Sequence, residues 1–171
     1  DPFPWYYYRG PSVRFDMSTH PINIPENLND INHFDIVHGK PLFFQWPGIR
    51  HTIDVEPRAL SRWRYYSPSS FETTFFGLSL FPSGHTKVFQ EGLGLVRIHA
   101  WWGIRIFEVI LPVDVYRVEF GHYCFAPAWI PRFLLDLTFH AYINQLQRDI
   151  PFWHGMILDP HPKFLPGDDH I

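Results

Sequence analysis

The sequence predicts an α+β fold: a curled antiparallel sheet gripping a long C-terminal helix, with a shorter helix ahead of the sheet. Three observations lead there. Between residues 50 and 124 the chain breaks into short runs rich in β-branched and aromatic residues, separated by glycine and proline, the texture of strands and turns. Ahead of them Leu28, Ile31 and Phe34 recur three apart, an apolar stripe of helical period. After them "PRFLLDLTFHAYINQLQRDIPFW" reads as one long helix.

Residues 1–24 read as irregular or short extended pieces, punctuated by Pro2, Pro4, Pro11 and Pro21. Pro25 suits the first turn of a helix, and Gly39 with Pro41 ends it. The segments "HTIDVEP", "SRWRYYSP", "TTFFGLSLF", "HTKVFQEG", "LGLVRIHAWW", "IRIFEVILPV" and "VYRVEFGHYC" then predict a run of about seven antiparallel strands. The closing helix is expected over about 130–149, with Phe133, Leu134, Leu137, Ala141 and Leu146 along its apolar side. A sheet curled over such a helix encloses an apolar pocket.

Composition narrows the function classes. A chain of 171 residues that is 46% hydrophobic has a core and is not disordered as a whole. An aromatic share of 19% exceeds what a core needs and favours a wide apolar cavity or an extensive interface. With a net charge of -3 and scattered Lys and Arg, nucleic acid is a poor partner. Cys124 is the lone cysteine, so no disulfide forms within the chain, which fits a reducing compartment; it reads as a small core residue. No apolar run approaches the roughly 20 residues of a membrane span. The abrupt opening "DPFPWYYYRGP" and closing "PGDDHI" read as cuts through a longer protein. The expectation is one domain over 1–171, a portion of a longer chain.

The chemistry-bearing stretch is "ENLNDINHFDIVHGKP", residues 26–41. Asp30 and His33 are three apart and share a helix face. His38 follows His33 by five, about 140° around a regular helix at roughly 100° per residue. The two imidazoles converge only where the helix loosens or ends, and Gly39 and Pro41 supply such an ending. The alternative is a solvated turn that carries two ordinary histidines. Two histidines, one carboxylate and open positions suit non-haem Fe(II) oxygen chemistry. The candidate acids are Asp136, which could equally pair with Arg132 four residues earlier, and Asp149, near the C-terminal end of the last helix.

The wording D-x2-H-x4-H in "NDINHFDIVHG" resembles the mononuclear-iron motif of the Rieske non-haem iron oxygenases. "FQEGLGLVRIHAWWGIRIFEVILPVDVYRVEF" is similar to the strand meander of that family. "PRFLLDLTFHAYINQLQRDIPFWHGMILDPHPKFLPGDD" is similar to its ligand-bearing helix and proline-rich tail. There the family has an acid four residues before a tryptophan, here Asp149 before Trp153, and Asp136 has no such match. The branch it looks most like is the cholesterol 7-desaturase and 3-ketosteroid 9α-hydroxylase group, over roughly residues 20–171.

The resemblance implies a helix-grip, START-like domain in which an iron-binding helix precedes the sheet. It implies a mononuclear Fe(II) held by His33, His38 and Asp149. Asp30 would orient His33 and link it to a Rieske histidine of a neighbouring subunit in a homotrimer. A [2Fe–2S] Rieske cluster takes two cysteines and two histidines, so this one-cysteine chain does not carry it. O2 and a sterol or steroid-like compound would be the substrates, hydroxylated or desaturated, with NAD(P)H acting through a separate reductase. A location on the cytoplasmic side goes with this, with membrane association only through regions outside the chain. Two rival classes remain. One is a non-catalytic lipid-binding domain of the same shape; the other is a zinc hydrolase, disfavoured because no glutamate sits beside either histidine as in H-E-x-x-H.

Overall fold

The computed structural model describes residues 6–29, 37, 49–55, 58–61, 64–76, 78–79 and 84–156. In chain order these form β1 (Tyr6–Met17), α1 (Asn23–Asn29), β2 (Ile49–Val55), β3 (Arg58–Ser61), β4 (Arg64–Phe75), β5 (Leu78–Ser79), β6 (Gly84–Glu91), β7 (Leu95–His99), β8 (Arg105–Asp114), β9 (Arg117–Pro127) and α2 (Arg132–Gly155). The strands make one antiparallel sheet in the order β1-β9-β8-β7-β6-β4-β2, with β3 and β5 also paired to β4. The α+β class and the helix after the sheet agree with expectation.

The first departure is β1. Prolines pointed to irregular chain, yet residues 6–17 form a 12-residue strand against β9. β1 lies at the sheet's edge, where a missing N–H is tolerated. Pro11 also falls inside the register shift between Tyr8 and Ser12, so no regular ladder position lacks its donor. Pro68 makes the second departure. It was expected to separate two strands, but β4 runs through it. On one flank β2 pairs from Ser69 onward and β3 pairs only up to Tyr66. Pro68 itself stands opposite Lys87 of β6 in the ladder.

α1 begins at Asn23, whose side-chain amide donates to the Thr19 hydroxyl at 3.1 Å. Pro25 sits in its first turn, where the proline's lack of an N–H does no harm. Of the rest of the expected helix only Val37 is described, and Asp30, His33 and His38 lie outside the described residues.

α2 differs from expectation in length and in facing. It continues through Pro151 to Gly155. Trp153, 1% exposed, anchors the last turn by packing edge-on to Phe120 with ring centroids 5.7 Å apart. The buried residues of the helix are Leu135, Phe139, Ala141, Ile143, Leu146, Asp149 and Trp153. Phe133 and Leu137, expected inside, are 68% and 51% exposed. The true stripe runs 135, 139, 142, 146, 149, 153, one seam of alternating three- and four-residue steps. Both faces of this helix carry apolar residues, so periodicity alone did not choose between them. The core lies between that seam and the inner faces of β1, β8 and β9: Met17, Ile106, Ile110, Val118, Phe120, Cys124 and Ala126 against Leu135, Phe139 and Leu146. Cys124 is fully buried, as expected.

The aromatic residues expected as candidate walls of an apolar pocket are Phe43, Phe44, Trp63, Tyr65, Phe75, Phe76, Trp101 and Trp102, most of them outside the residues with described side chains. Of them, Phe76 and Trp102 are 74% and 54% exposed and have left-handed backbone, φ 47 and 58. They are turn residues, not walls. No described helix is long and apolar enough to cross a membrane.

Candidate functional site beneath the sheet

Successive residues of a strand face opposite sides of the sheet, so inward positions fall on every second residue. In β9 they are Val118, Phe120, His122, Cys124 and Ala126; in β8 they are Ile106, Glu108 and Ile110. Register aligns these into transverse rows. Val13 pairs with His122, His122 with Glu108, Glu108 with Val96, Val96 with Gln90, and Gln90 with Tyr65. One row crossing five neighbouring strand pairs thus concentrates polar side chains on the inner face. The flanking rows are apolar: Phe15, Phe120 and Ile110 on one side, Cys124, Ile106 and Ile98 on the other.

α2 closes over this row. Tyr142, on the buried seam, donates its hydroxyl hydrogen to Glu108 Oε1. The Tyr142 ring lies 5.7 Å from the His122 ring and packs at a tilt against Phe139 at 5.9 Å. Two turns further on, the same seam carries Asp149, 6% exposed. Glu108 is 2% exposed and His122 fully buried. Phe120 and Phe15 pack edge-on to the imidazole at 4.2 and 5.7 Å. Neither ring nitrogen of His122 reaches a hydrogen-bond partner in good geometry among the described residues; the Val13 backbone is the polar group that leans towards it.

Burial governs the charges here. Desolvation pushes the Glu108 carboxyl up to about 7, against the Tyr142 hydrogen bond, and the nearby Asp149 charge adds to the rise. Desolvation pulls the His122 imidazole down to about 3, so the ring is neutral at physiological pH. Tyr142 is raised well above its ordinary value by burial and by Glu108. Burial likewise pushes the Cys124 thiol up to about 12, making it an inert core residue. A groove of about 500 Å³ opens beside the row between β1 and α2, lined by Val13, Arg132, Asp136, Phe139, His140 and Ile143.

Of the residues singled out from the sequence, Asp30, His33 and His38 lie outside the described residues, and Asp149 lies on the buried seam. Asp136 is excluded as an inward ligand: it is 47% exposed and paired with Arg132 at 2.9 Å, four residues apart. Among the described residues no three His, Cys, Asp or Glu side chains gather as a metal-binding group. Sequence reasoning missed Glu108, His122 and Tyr142. The signal for Glu108 was present in "RIFEVIL", where an acid occupies the inward phase between Ile106 and Ile110.

No family model matches the chain. It is 24% identical over 192 aligned positions to a cholesterol 7-desaturase of Ciona intestinalis, and 22% identical over 181 to a cholesterol 7-desaturase of Drosophila melanogaster. Each alignment covers 97% of this chain but only 38% and 42% of those relatives, so the chain spans about two fifths of their length. In fold it is similar to a conserved protein of unknown function from Enterococcus faecalis, with TM-score 0.51 and 11% identity over 85% of this chain and 68% of that one.

Proposed function

We propose that this chain is the iron-binding catalytic portion of an O2-dependent oxygenase that hydroxylates or desaturates a sterol-like compound. The observation that carries the reading is Asp149, a carboxylate on the buried seam of α2 where every neighbour in the stripe except Tyr142 is apolar. It stands four residues before Trp153, as the resemblance requires, and distant relatives spanning 97% of the chain are cholesterol 7-desaturases.

The donor set fits the metal. Asp149 with His33 and His38 offers one carboxylate and two imidazoles, the set that suits Fe(II) while leaving positions open. Bound iron supplies O2 activation. The chain's own residues do the rest: Asp30 orients His33 and connects it to a Rieske histidine of the neighbouring subunit in a homotrimer. The inner face of the helix-grip, START-like sheet, Phe120, Ile106 and Ile110, excludes water from an apolar substrate. The [2Fe–2S] cluster and the NAD(P)H-driven reductase lie outside these 171 residues.

Anaerobic titration of the chain with Fe(II) tests the reading. The expected result is one iron per chain; a chain that takes up no iron yet binds sterol is the non-catalytic lipid-binding domain instead.

A further inference from the structure

We propose that His122, together with Glu108 and Tyr142, forms a binding site for the neutral hydroxyl or ketone of an otherwise apolar ligand. The inference deepens the sterol reading and rests on it for the choice of probe. His122 is fully buried in a shell of Phe15, Phe120 and Tyr142, yet neither ring nitrogen is hydrogen-bonded in good geometry among the described residues, with the Val13 backbone leaning towards the ring. A buried polar atom left unmatched is costly, so native interiors keep one where something else completes it.

The chemistry of the site selects the ligand. A neutral imidazole presents one donor and one acceptor, the complement of a hydroxyl group, which also offers one of each. A ketone uses the donor alone. An ammonium or carboxylate would be a poor guest, because the shell is aromatic and holds the imidazole neutral. Glu108 stands opposite His122 in register, and Tyr142 reaches both from α2. Further along the row, Gln90 is buried and its side-chain carbonyl oxygen also lacks a partner among the described residues.

The groove between β1 and α2 runs beside the site, separated from it by its own wall. Its wall residue Val13 is the register partner of His122, and its wall residue Phe139 packs on Tyr142. An apolar body lying in the groove is therefore one side chain away from the imidazole.

The test compares cholesterol with cholest-5-ene, which lacks only the hydroxyl, for binding to the full 171-residue chain without iron. Wild type should prefer cholesterol by about tenfold, the worth of one hydrogen bond, and the His122 ring nitrogens should shift in NMR spectra with cholesterol alone. His122→Phe should bind both compounds alike, while His122→Gln, which keeps a donor and an acceptor, should retain the preference. Val13→Trp should weaken both compounds equally by filling the groove. Equal affinities in wild type, no binding of either compound, or a preference that survives in His122→Phe overturns the proposal. Because no iron or turnover enters, these outcomes are separate from failure of the oxygenase reading, which the Fe(II) titration decides.

Discussion

Tyr142 and Glu108, 34 residues apart in sequence, are joined by a hydrogen bond from the phenol to the carboxyl at the helix–sheet interface. It ties the seam of α2 to the polar row of the sheet, and it restrains a carboxyl that burial drives toward the neutral form.

Tyr142→Phe should therefore leave Glu108 buried without this donor. The expected cost is about 1–3 kcal/mol of folding stability, read from denaturant midpoints. The Glu108 carboxyl should titrate higher than in wild type, because the hydrogen bond it loses is what holds it down against burial.

Stability should depend on pH through two opposed groups. Glu108 titrates at about 7 in the fold against 4.5 unfolded, so the fold binds the extra proton. Its contribution is full below 4.5 and is lost as pH rises through 7. His122 titrates at about 3 against 6.5, so its contribution is full above 6.5 and is lost as pH falls through 3. Between about 4.5 and 6.5 the two slopes oppose each other. Stability should fall below that window and again toward 7. Thermal unfolding against pH should show Glu108→Gln flattening the upper limb and His122→Phe the lower. A Glu108→Gln profile that superimposes on wild type would contradict this account.

The two acids of α2 should separate cleanly. Asp149→Ala should abolish the binding of one Fe(II) per chain, whereas Asp136→Ala should leave it intact. The latter loses only an exposed ion pair with Arg132, worth about 0.2–1 kcal/mol. Iron content by metal analysis after gel filtration measures both.

The Trp153 anchor is expected to hold the last turn of α2 past Pro151. Trp153→Ala should cost about 3–5 kcal/mol and expose the amides after Pro151 to rapid hydrogen exchange. Exchange unchanged in that turn would assign its order to something other than the Phe120–Trp153 contact.

Electron supply makes the last prediction. With one cysteine the chain carries no Rieske cluster, so with Fe(II), a reductase and NAD(P)H it should turn over no sterol. A longer parent carrying the cluster should do so, and Asp30→Asn in that parent should slow turnover far more than it weakens iron binding. Equal losses would make Asp30 a structural support of the iron site.

What the sequence determined by itself was local. Alternation and turn residues marked β6 to β9, and the run after Pro131 marked α2. The Arg132–Asp136 spacing announced an i,i+4 pair, and Cys124 read as core. Each depends on neighbours a few residues away, which any window of sequence contains. The tertiary structure decided everything that depends on register or facing. β1 is a strand because β9, more than a hundred residues later, satisfies its backbone. α2 turns Leu135, Phe139 and Asp149 inward rather than Phe133 and Leu137, because its two apolar faces compete for one sheet. The polar row exists only because three strand pairings bring His122, Glu108 and Gln90 into line; a one-residue slip at any of them would send one of these residues to the other face. No local pattern encodes that alignment. It is set by the summed hydrogen bonds and side-chain burial of the whole sheet.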